Sequence, residues 1–275
     1  MNILKQMKKK TDTKKMRRLG ALPYHFSCFL IIAVHSFMLE NQWNVIHLPE
    51  KPNGFGILIL GDSNHFVEGS TSLWTQHKGR ERLVDCLLEK GYTVFYSNLF
   101  GANWGSIKAF RLARQLYHLV IRQEILNRKI HLLAEGMGGL LALQLMEEMS
   151  EEIRSTAFLN PCLDFELYYK QAQKHPFFLK RLEKEYREAH NLTRSTTREA
   201  MENHVRLEYY QNEVPAKIWA DVRNSSPYSV EHSKQYEKLK GEQGGNVEIS
   251  FYLPEKQYLF SKALCSFYKS WEQEL

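Results

Sequence analysis

The sequence predicts an α/β domain with a doubly wound, mostly parallel sheet and a helical lid. From residue 43 onward, short apolar segments alternate with segments of helical periodicity, an order typical of a parallel sheet covered by helices on both faces. The alternation stops over residues 163–213, where only helical patterns occur, and it resumes at residue 215. Such an insertion leaves the carboxyl edge of the sheet, where ligands bind in α/β folds. The lid is therefore expected to cover a binding site.

Each predicted strand is a short run of apolar and branched residues bounded by a turn or a helix. Before the lid these runs lie at residues 43–48, 55–61, 92–97, 129–134 and 154–160. After the lid they lie at residues 215–220 and 247–253. The run at 55–61 is apolar throughout, as expected of a strand buried on both faces.

The predicted helices carry apolar residues at helical spacing between these strands. They lie at residues 71–90, 107–126 and 137–149 before the lid, and near 228–240 and from 258 after it. Gly91 follows the first helix in the position of a C-cap residue.

The net charge of +6 is concentrated at the N terminus. Residues 1–18 hold eight Lys and Arg residues and one Asp, so the remaining residues carry 29 cations and 30 anions. A nearly neutral body gives no reason to expect nucleic acid as a partner. The four cysteines are scattered without a C-x-x-C pair, which predicts reduced thiols and a cytoplasmic protein rather than a disulfide framework.

Residues 1–37 are predicted to form an extension outside a domain that spans 38–275. A cationic run precedes an apolar stretch there, as in a signal peptide or a membrane anchor. The uninterrupted apolar part is about 13 residues, fewer than the roughly 20 that cross a bilayer. Three interpretations stay open: a dispensable extension upstream of a start at Met16 or Met38, a membrane anchor through residues 19–39, and a folded element.

Three motifs occur in an order that resembles one enzyme superfamily. "LGDSN" at 60–64 is similar to the family's oxyanion loop, and "SNLFGANWGS" at 97–106 is similar to "D-L-R-G-H-G-x-S". "AEGMGG" at 134–139 is similar to the nucleophile elbow "G-H-S-M-G-G". Over about residues 43–271 the chain therefore resembles the α/β-hydrolases. The resemblance implies the α/β-hydrolase fold, with the helical lid inserted after the sixth strand.

The resemblance also implies a Ser-His-Asp triad, which this sequence does not reproduce. Gly136 stands at the nucleophile position, and glycine adopts the positive φ of an elbow with little strain. The family's histidine follows the last strand, but all eleven histidines precede Val247, and Gln257 stands nearest the expected position. We therefore expect Gly136 to keep the turn, with a positive φ, and the protein to lack the nucleophile and base.

Three residues are candidate remnants of the catalytic acid. Asp221 and Asn224 follow the strand at 215–220, and Asn224 fits the family's position better. Asp164 begins the lid and stands at the alternative acid position of some family members, but the N-terminal charge of a lid helix also explains it. Ser63 and His65 lie two residues apart in the oxyanion loop, where an imitation of a Ser–His pair is a weaker hypothesis.

Part of an oxyanion hole is expected to survive. The resemblance places the backbone amides of Met137 and Asp62 as its two donors, although the Asp62 carboxylate beside the hole opposes a developing oxyanion. The residues expected to line the pocket beneath the lid are Ser63, Trp104, Glu135 and Phe165. No phosphate-binding pattern and no metal-ligand spacing occurs, so no cofactor and no metal are expected.

The sequence thus predicts an α/β-hydrolase-like protein, a monomer or dimer, that lacks triad catalysis. Its expected partner is a small apolar molecule or another protein bound in the lidded cleft, and membrane association through the N-terminal segment is an alternative. The competing hypothesis is a weak carboxylic-ester or thioester hydrolase that uses relocated residues. A name based on fold alone would not decide between the two.

Overall fold

A computed structural model describes residues 33–223, 227–228, 230–253 and 260–272. The predicted extension therefore lies outside the described residues, except for residues 33–37. Among the described helices, none combines the length and the apolar character that a membrane crossing requires.

A single mixed sheet forms the centre of the described chain. Its strands are β1 (Ala33–Leu39), β2 (Gln42–Leu48), β3 (Gly56–Leu60), β4 (Thr93–Ser97), β5 (Ile130–Glu135), β6 (Ile153–Leu159), β7 (Ala216–Asp221) and β8 (Val247–Tyr252). They lie in the order β1-β2-β4-β3-β5-β6-β7-β8. The pairs β1–β2 and β2–β4 are antiparallel, and the remaining pairs are parallel. The predicted doubly wound sheet is confirmed.

Helices cover both faces of the sheet and form the lid. They are α1 (Leu73–Gln76), α2 (Lys78–Glu89), α3 (Ile107–Gln123), α4 (Gly138–Glu148), α5 (Phe165–Ala172), α6 (Pro176–His190), α7 (Arg194–Glu202), α8 (Val230–Glu242) and α9 (Phe260–Ser270). The lid consists of α5, α6, α7 and a short 3-10 turn at Leu207–Tyr209, and it lies between β6 and β7. These helices thus follow the sixth strand of the sheet in chain order.

Strand β1 differs from the sequence-based boundary. It begins at Ala33, inside the segment assigned to the extension, and it pairs with β2 from Ala33–Leu48 to Leu39–Gln42. Val34 and Phe37 pack against the two cores of the sheet. Five strands were predicted before the lid, and β1 is the sixth. It escaped prediction because its residues continue the apolar N-terminal stretch without a turn.

The alternating side chains of the strands build a core on each face. In β5, Leu132 belongs to the core beneath α3, α4 and α8, whereas Leu133 belongs to the core beneath α2 and α9. All but the last residue of β5 are buried, which explains the continuous apolar sequence. Buried contacts of these cores thus position β5 and α4, and the candidate site lies on the turn between these two elements.

Candidate functional site

The turn between β5 and α4 has the predicted geometry. Gly136 adopts a φ of +53°, so the expectation of a positive φ is confirmed. Its carbonyl accepts hydrogen bonds from the Gly139 and Cys162 amides, at 3.0 and 2.8 Å. A Cβ at Gly138 would lie 2.4 Å from the Leu60 carbonyl oxygen, so a side chain there would collide with backbone. The small residues of the motif thus allow strand, turn and helix to pack closely.

The Asp62 carboxyl group occupies the place of a nucleophile side chain. A Cβ at Gly136 would lie 2.2 Å from Asp62 Cγ and 2.3 Å from its Oδ1. Asp62 Oδ1 accepts a hydrogen bond from the Met137 amide at 2.8 Å and another from the Tyr228 hydroxyl at 2.7 Å. The carboxyl group is therefore held in position from two sides. Glycine at 136 is what makes room for it.

This arrangement changes the expected oxyanion hole. The Met137 amide, one of the two expected donors, donates to the Asp62 carboxyl group. An oxyanion bound by the Met137 amide would have to displace the Asp62 carboxylate or develop next to it. Two adjacent negative charges repel each other, so the carboxylate opposes oxyanion formation. Burial, followed by the charge of Asp62, raises the pKa of Tyr228 well above its usual value. Tyr228 therefore stays protonated and remains a donor.

Glu135, the residue before the elbow glycine, forms an ion pair. Arg80 of α2 donates through Nε to Glu135 Oε2 at 2.9 Å and through Nη2 to Oε1. Burial raises the pKa of Glu135, and the hydrogen bond and charge of Arg80 oppose this rise. The pair borders a cavity of about 340 Å³, which is lined by His77, Gly79, Arg80, Arg82, Leu83, Glu135, Leu159, Phe260 and Ser261.

Ser63 and His65 do not form a catalytic pair with a free base. Trp74 Nε1 donates to His65 Nδ1 at 3.0 Å, which leaves the proton on Nε2, and Nε2 donates to the Ser97 carbonyl at 2.9 Å. Both ring nitrogens are thus occupied. Burial lowers the pKa of His65 to about 4. The imidazole thus connects the oxyanion loop to β4 by a hydrogen bond.

Two of the candidate acids, Asp164 and Asp221, lie in the described residues, each at the end of a secondary-structure element. Asp164 caps α5, because its Oδ1 accepts a hydrogen bond from the Leu167 amide at 3.1 Å. Asp221 ends β7, is 3% exposed and accepts a hydrogen bond from the Arg223 amide at 2.9 Å. Asn224 and Gln257 lie outside the described residues. The helix-cap interpretation of Asp164 agrees with its contacts.

The space directly beneath the lid is filled by side chains. Trp104 and Phe165 belong to a buried cluster that also contains Met137 and Tyr228. The Trp104 indole stacks on Tyr168 at 5.2 Å between ring centroids. Of the four residues expected to line the pocket, Glu135 borders the 340 Å³ cavity, and Trp104 and Phe165 pack as core. The fourth, Ser63, is half-buried and is not among the residues that line this cavity. Here the lid lies on the elbow as a closed, packed layer.

A larger cavity lies at the side of the lid, against α3 and α4. Its volume is about 480 Å³, and it is lined by Gly105, Ile107, Phe110, Gln144, Glu147, Glu148, Tyr186, His190, Ala200, Asn203, His204, Val205, Tyr209 and Tyr210. Within it, the Tyr186 hydroxyl contacts His204 Nδ1 at 3.0 Å. Burial lowers the pKa of His204 to about 3, so this imidazole is neutral. The cavity therefore has apolar and aromatic walls, with the neutral His204 and the carboxyl groups of Glu147 and Glu148 among them.

Sequence reasoning missed Tyr228 and Arg80, the partners of Asp62 and Glu135. Tyr228 precedes α8, and Arg80 lies 55 residues before Glu135 in α2. Neither belongs to a motif of the family pattern. A basic residue in the first turn of a helix and a tyrosine in a loop are too common to indicate such contacts.

Comparisons with known proteins agree with this architecture. The sequence profile described as alpha/beta hydrolase fold matches residues 67–252. No curated protein sequence matches the chain. Est1E from Butyrivibrio proteoclasticus has a similar structure, with a TM-score of 0.61, 13% identity, and coverage of 86% of this chain and 98% of that chain.

Two similar structures come from longer chains. The acylaminoacyl peptidase of Pyrococcus horikoshii has a TM-score of 0.63 and 10% identity over 90% of this chain, which spans 43% of that chain. A puromycin-hydrolyzing peptidase of Mycobacterium tuberculosis has a TM-score of 0.68 and 10% identity over 88% of this chain, which spans 39% of that chain. At these identities the likeness concerns the fold alone.

Proposed function

This chain belongs to the α/β-hydrolase fold family, and we propose that it binds a small apolar molecule without triad catalysis. The observation that carries the proposal is the pairing of Gly136 with Asp62. Gly136 has no nucleophile, and the Asp62 carboxyl group fills the space and engages the Met137 amide. A hydrolase of this family needs both that space and that donor for its acyl intermediate.

The absence of a histidine after β8 supports the same proposal. A serine or water nucleophile has to lose a proton as it attacks, and a positioned base contributes roughly 10²–10⁴-fold. The last histidine of the sequence is His232, so the loop after β8 has no imidazole to offer. Hydrolysis remains the competing hypothesis, because two of the similar structures are named as peptidases. At their low sequence identity these structures support only the similarity of fold.

The cavity of about 480 Å³ at the side of the lid is the proposed binding site. Its volume is within the range of roughly 300–1,000 Å³ common for small-molecule sites. Phe110, Val205 and Tyr209 offer apolar and aromatic surface. Val205 is 45% exposed and Tyr209 is 59% exposed, so a ligand in the cavity would remove apolar surface of both from water. A mainly apolar ligand that buries these groups fits the site.

Filling the cavity should remove ligand binding. Ala200 is half-buried on the cavity wall, so Ala200→Trp places an indole in the space that the ligand would occupy. With the neutral apolar dye Nile red as probe, we expect fluorescence titration to give an affinity lower by about tenfold or more. The matched control is Ile125→Trp, because Ile125 is 97% exposed and does not border the cavity.

Two outcomes would contradict the proposed site. One is dye binding that Ala200→Trp leaves unchanged in a protein whose circular dichroism is that of the parent. The other is the absence of saturable dye binding in the parent protein.

A further inference from the structure

Two cysteines meet between helices on the same face of the sheet. Cys86 lies in α2 and Cys265 lies in α9, and their Sγ atoms are 3.6 Å apart. The residues are separated by 179 positions in the sequence, which is why the cysteines look scattered there. Cys86 is half-buried and Cys265 is buried, and both are free thiols. The third described cysteine, Cys162, lies beneath the lid.

We propose that Cys86 and Cys265 form a reversible disulfide when the protein meets a low-molecular-weight disulfide such as oxidised glutathione. The cross-link ties α2 to α9 beside the elbow. It is a modification site that is independent of the proposed ligand cavity, because neither cysteine borders that cavity.

The packing around the two thiols favours the cross-link. Leu83 and Leu87 of α2 share one buried cluster with Leu264 and Tyr268 of α9. The helices are thus already held against each other. To form a disulfide bond of about 2.05 Å, the two sulfur atoms, now 3.6 Å apart, have to approach each other by roughly 1.5 Å.

The two thiols have different parts in the reaction. The Cys86 thiolate, which solvent reaches, attacks one sulfur of the oxidised glutathione, and one glutathione thiolate leaves and takes up a proton. Cys265 then loses its proton to solvent, and its thiolate attacks the Cys86 sulfur and releases the second glutathione thiolate. Two protein thiols are oxidised, and one glutathione disulfide is reduced to two thiols. The atoms and electrons therefore balance.

The order of these steps follows from exposure and acidity. Burial raises the pKa of Cys265 to about 12, and the neighbouring Cys86 adds to the rise. Cys265 is therefore a poor first nucleophile, since its thiolate is scarce near neutral pH. Once glutathione is attached to Cys86, the reaction with Cys265 is intramolecular. The short distance between the two sulfur atoms then compensates for the small fraction of Cys265 that is thiolate.

The cross-link would join the two helices that line the cavity of about 340 Å³ beside Glu135. Arg80 and Leu83 of α2 face Phe260 and Ser261 of α9 across the 340 Å³ cavity that Glu135 borders. A covalent bond between α2 and α9 limits how far these walls can separate. It also closes a loop of 179 residues, and long loops gain the most stability from a cross-link.

Oxidation of the full chain by oxidised glutathione tests the pair. After reaction at about pH 8 and acid quenching, non-reducing peptide mapping by mass spectrometry should give one cross-linked peptide that contains Cys86 and Cys265. The midpoint of thermal unfolding should rise on the order of 10 °C, and dithiothreitol should reverse the rise.

Matched variants separate the pair from the other thiols. Cys86→Ser should lose both the cross-linked peptide and the rise on oxidation, whereas Cys162→Ser should keep both. Because the rise is measured between the oxidised and reduced forms of the same variant, a change in basal stability does not affect it. Three results would overturn the proposal: both thiols still free, a lasting glutathione adduct on Cys86 beside a free Cys265, or a cross-link instead to Cys28, the fourth cysteine of the sequence.

Discussion

Below about pH 6.5, the free energy of unfolding should fall by up to about 5 kcal/mol per pH unit. The cause is a set of buried neutral imidazoles. Burial lowers the pKa of four histidines to between about 3 and about 4, namely His65, His131, His204 and His232. Their ordinary pKa is 6.5. Between these pH values the unfolded chain therefore binds four protons that the folded protein does not bind.

The direction and the window follow from these shifts. Stability is complete above the unfolded pKa of 6.5 and is lost as the pH falls toward 4, because the unfolded state binds more protons there. Each imidazole contributes about 1.36 kcal/mol per pH unit. The raised pKa values of Glu135 and Asp164 act in the opposite sense and offset part of the loss in the acidic end of the window.

Urea unfolding at several pH values in this range measures the slope of the unfolding free energy against pH. His204→Phe removes one titrating ring and keeps an aromatic ring in contact with Phe165, where the ring centroids lie 4.4 Å apart. The slope should fall by about a quarter, which is one proton in four. His175→Gln is the matched control, since His175 is exposed. A stability that is flat between about pH 6.5 and 5, or a slope unaffected by His204→Phe, would contradict the burial of these neutral rings.

Gly136→Ala should lower the free energy of unfolding by about 3 kcal/mol. Part of the cost, about 1 kcal/mol, comes from a Cβ at positive φ. The rest comes from Asp62, whose Cγ lies 2.2 Å from that Cβ. The carboxylate has to leave, and its hydrogen bonds from the Met137 amide and the Tyr228 hydroxyl are lost.

Gly101→Ala separates the two contributions. Gly101 has a φ of +67°, and a Cβ there would meet nothing within 4 Å, so only the backbone cost of about 1 kcal/mol should be seen. Denaturant unfolding of both variants gives the comparison. In the double variant Asp62→Ala/Gly136→Ala, the excess cost of the alanine at 136 should disappear. Equal costs at 136 and 101 would mean that Asp62 does not occupy the elbow.

The parts of the fold that sequence could predict are those set by local pattern. The lid appears as a stretch without strand periodicity, and the elbow appears as glycines between an apolar strand and an apolar helix. The positive φ of Gly136 follows from the residue type. Strand β1 was missed because its pairing with β2 is a matter of register, which an apolar run preceded by a basic segment does not indicate.

The site was harder to predict because it depends on side-chain direction. Asp62 was placed beside the oxyanion hole from the motif alone, but whether its carboxylate points into the elbow depends on a rotamer and on Tyr228, which lies 166 residues away. Likewise, Phe165 was expected to line the pocket beneath the lid. Instead it packs in the buried cluster at the centre of the lid, and the larger cavity lies at the side, where Tyr186 borders it.

Labelling by a fluorophosphonate probe tests most directly whether the elbow is catalytically inert. The probe reacts with a serine that a positioned base has activated. The parent protein and Gly136→Ser, both folded by circular dichroism, should show no labelling above heat-denatured samples, while an active serine hydrolase labels in the same assay. In Gly136→Ser the new hydroxyl would meet the Asp62 carboxyl group and find no histidine after β8. Labelling of either protein, mapped to a single residue, would contradict this account, because it would mean that a hidden base serves the site.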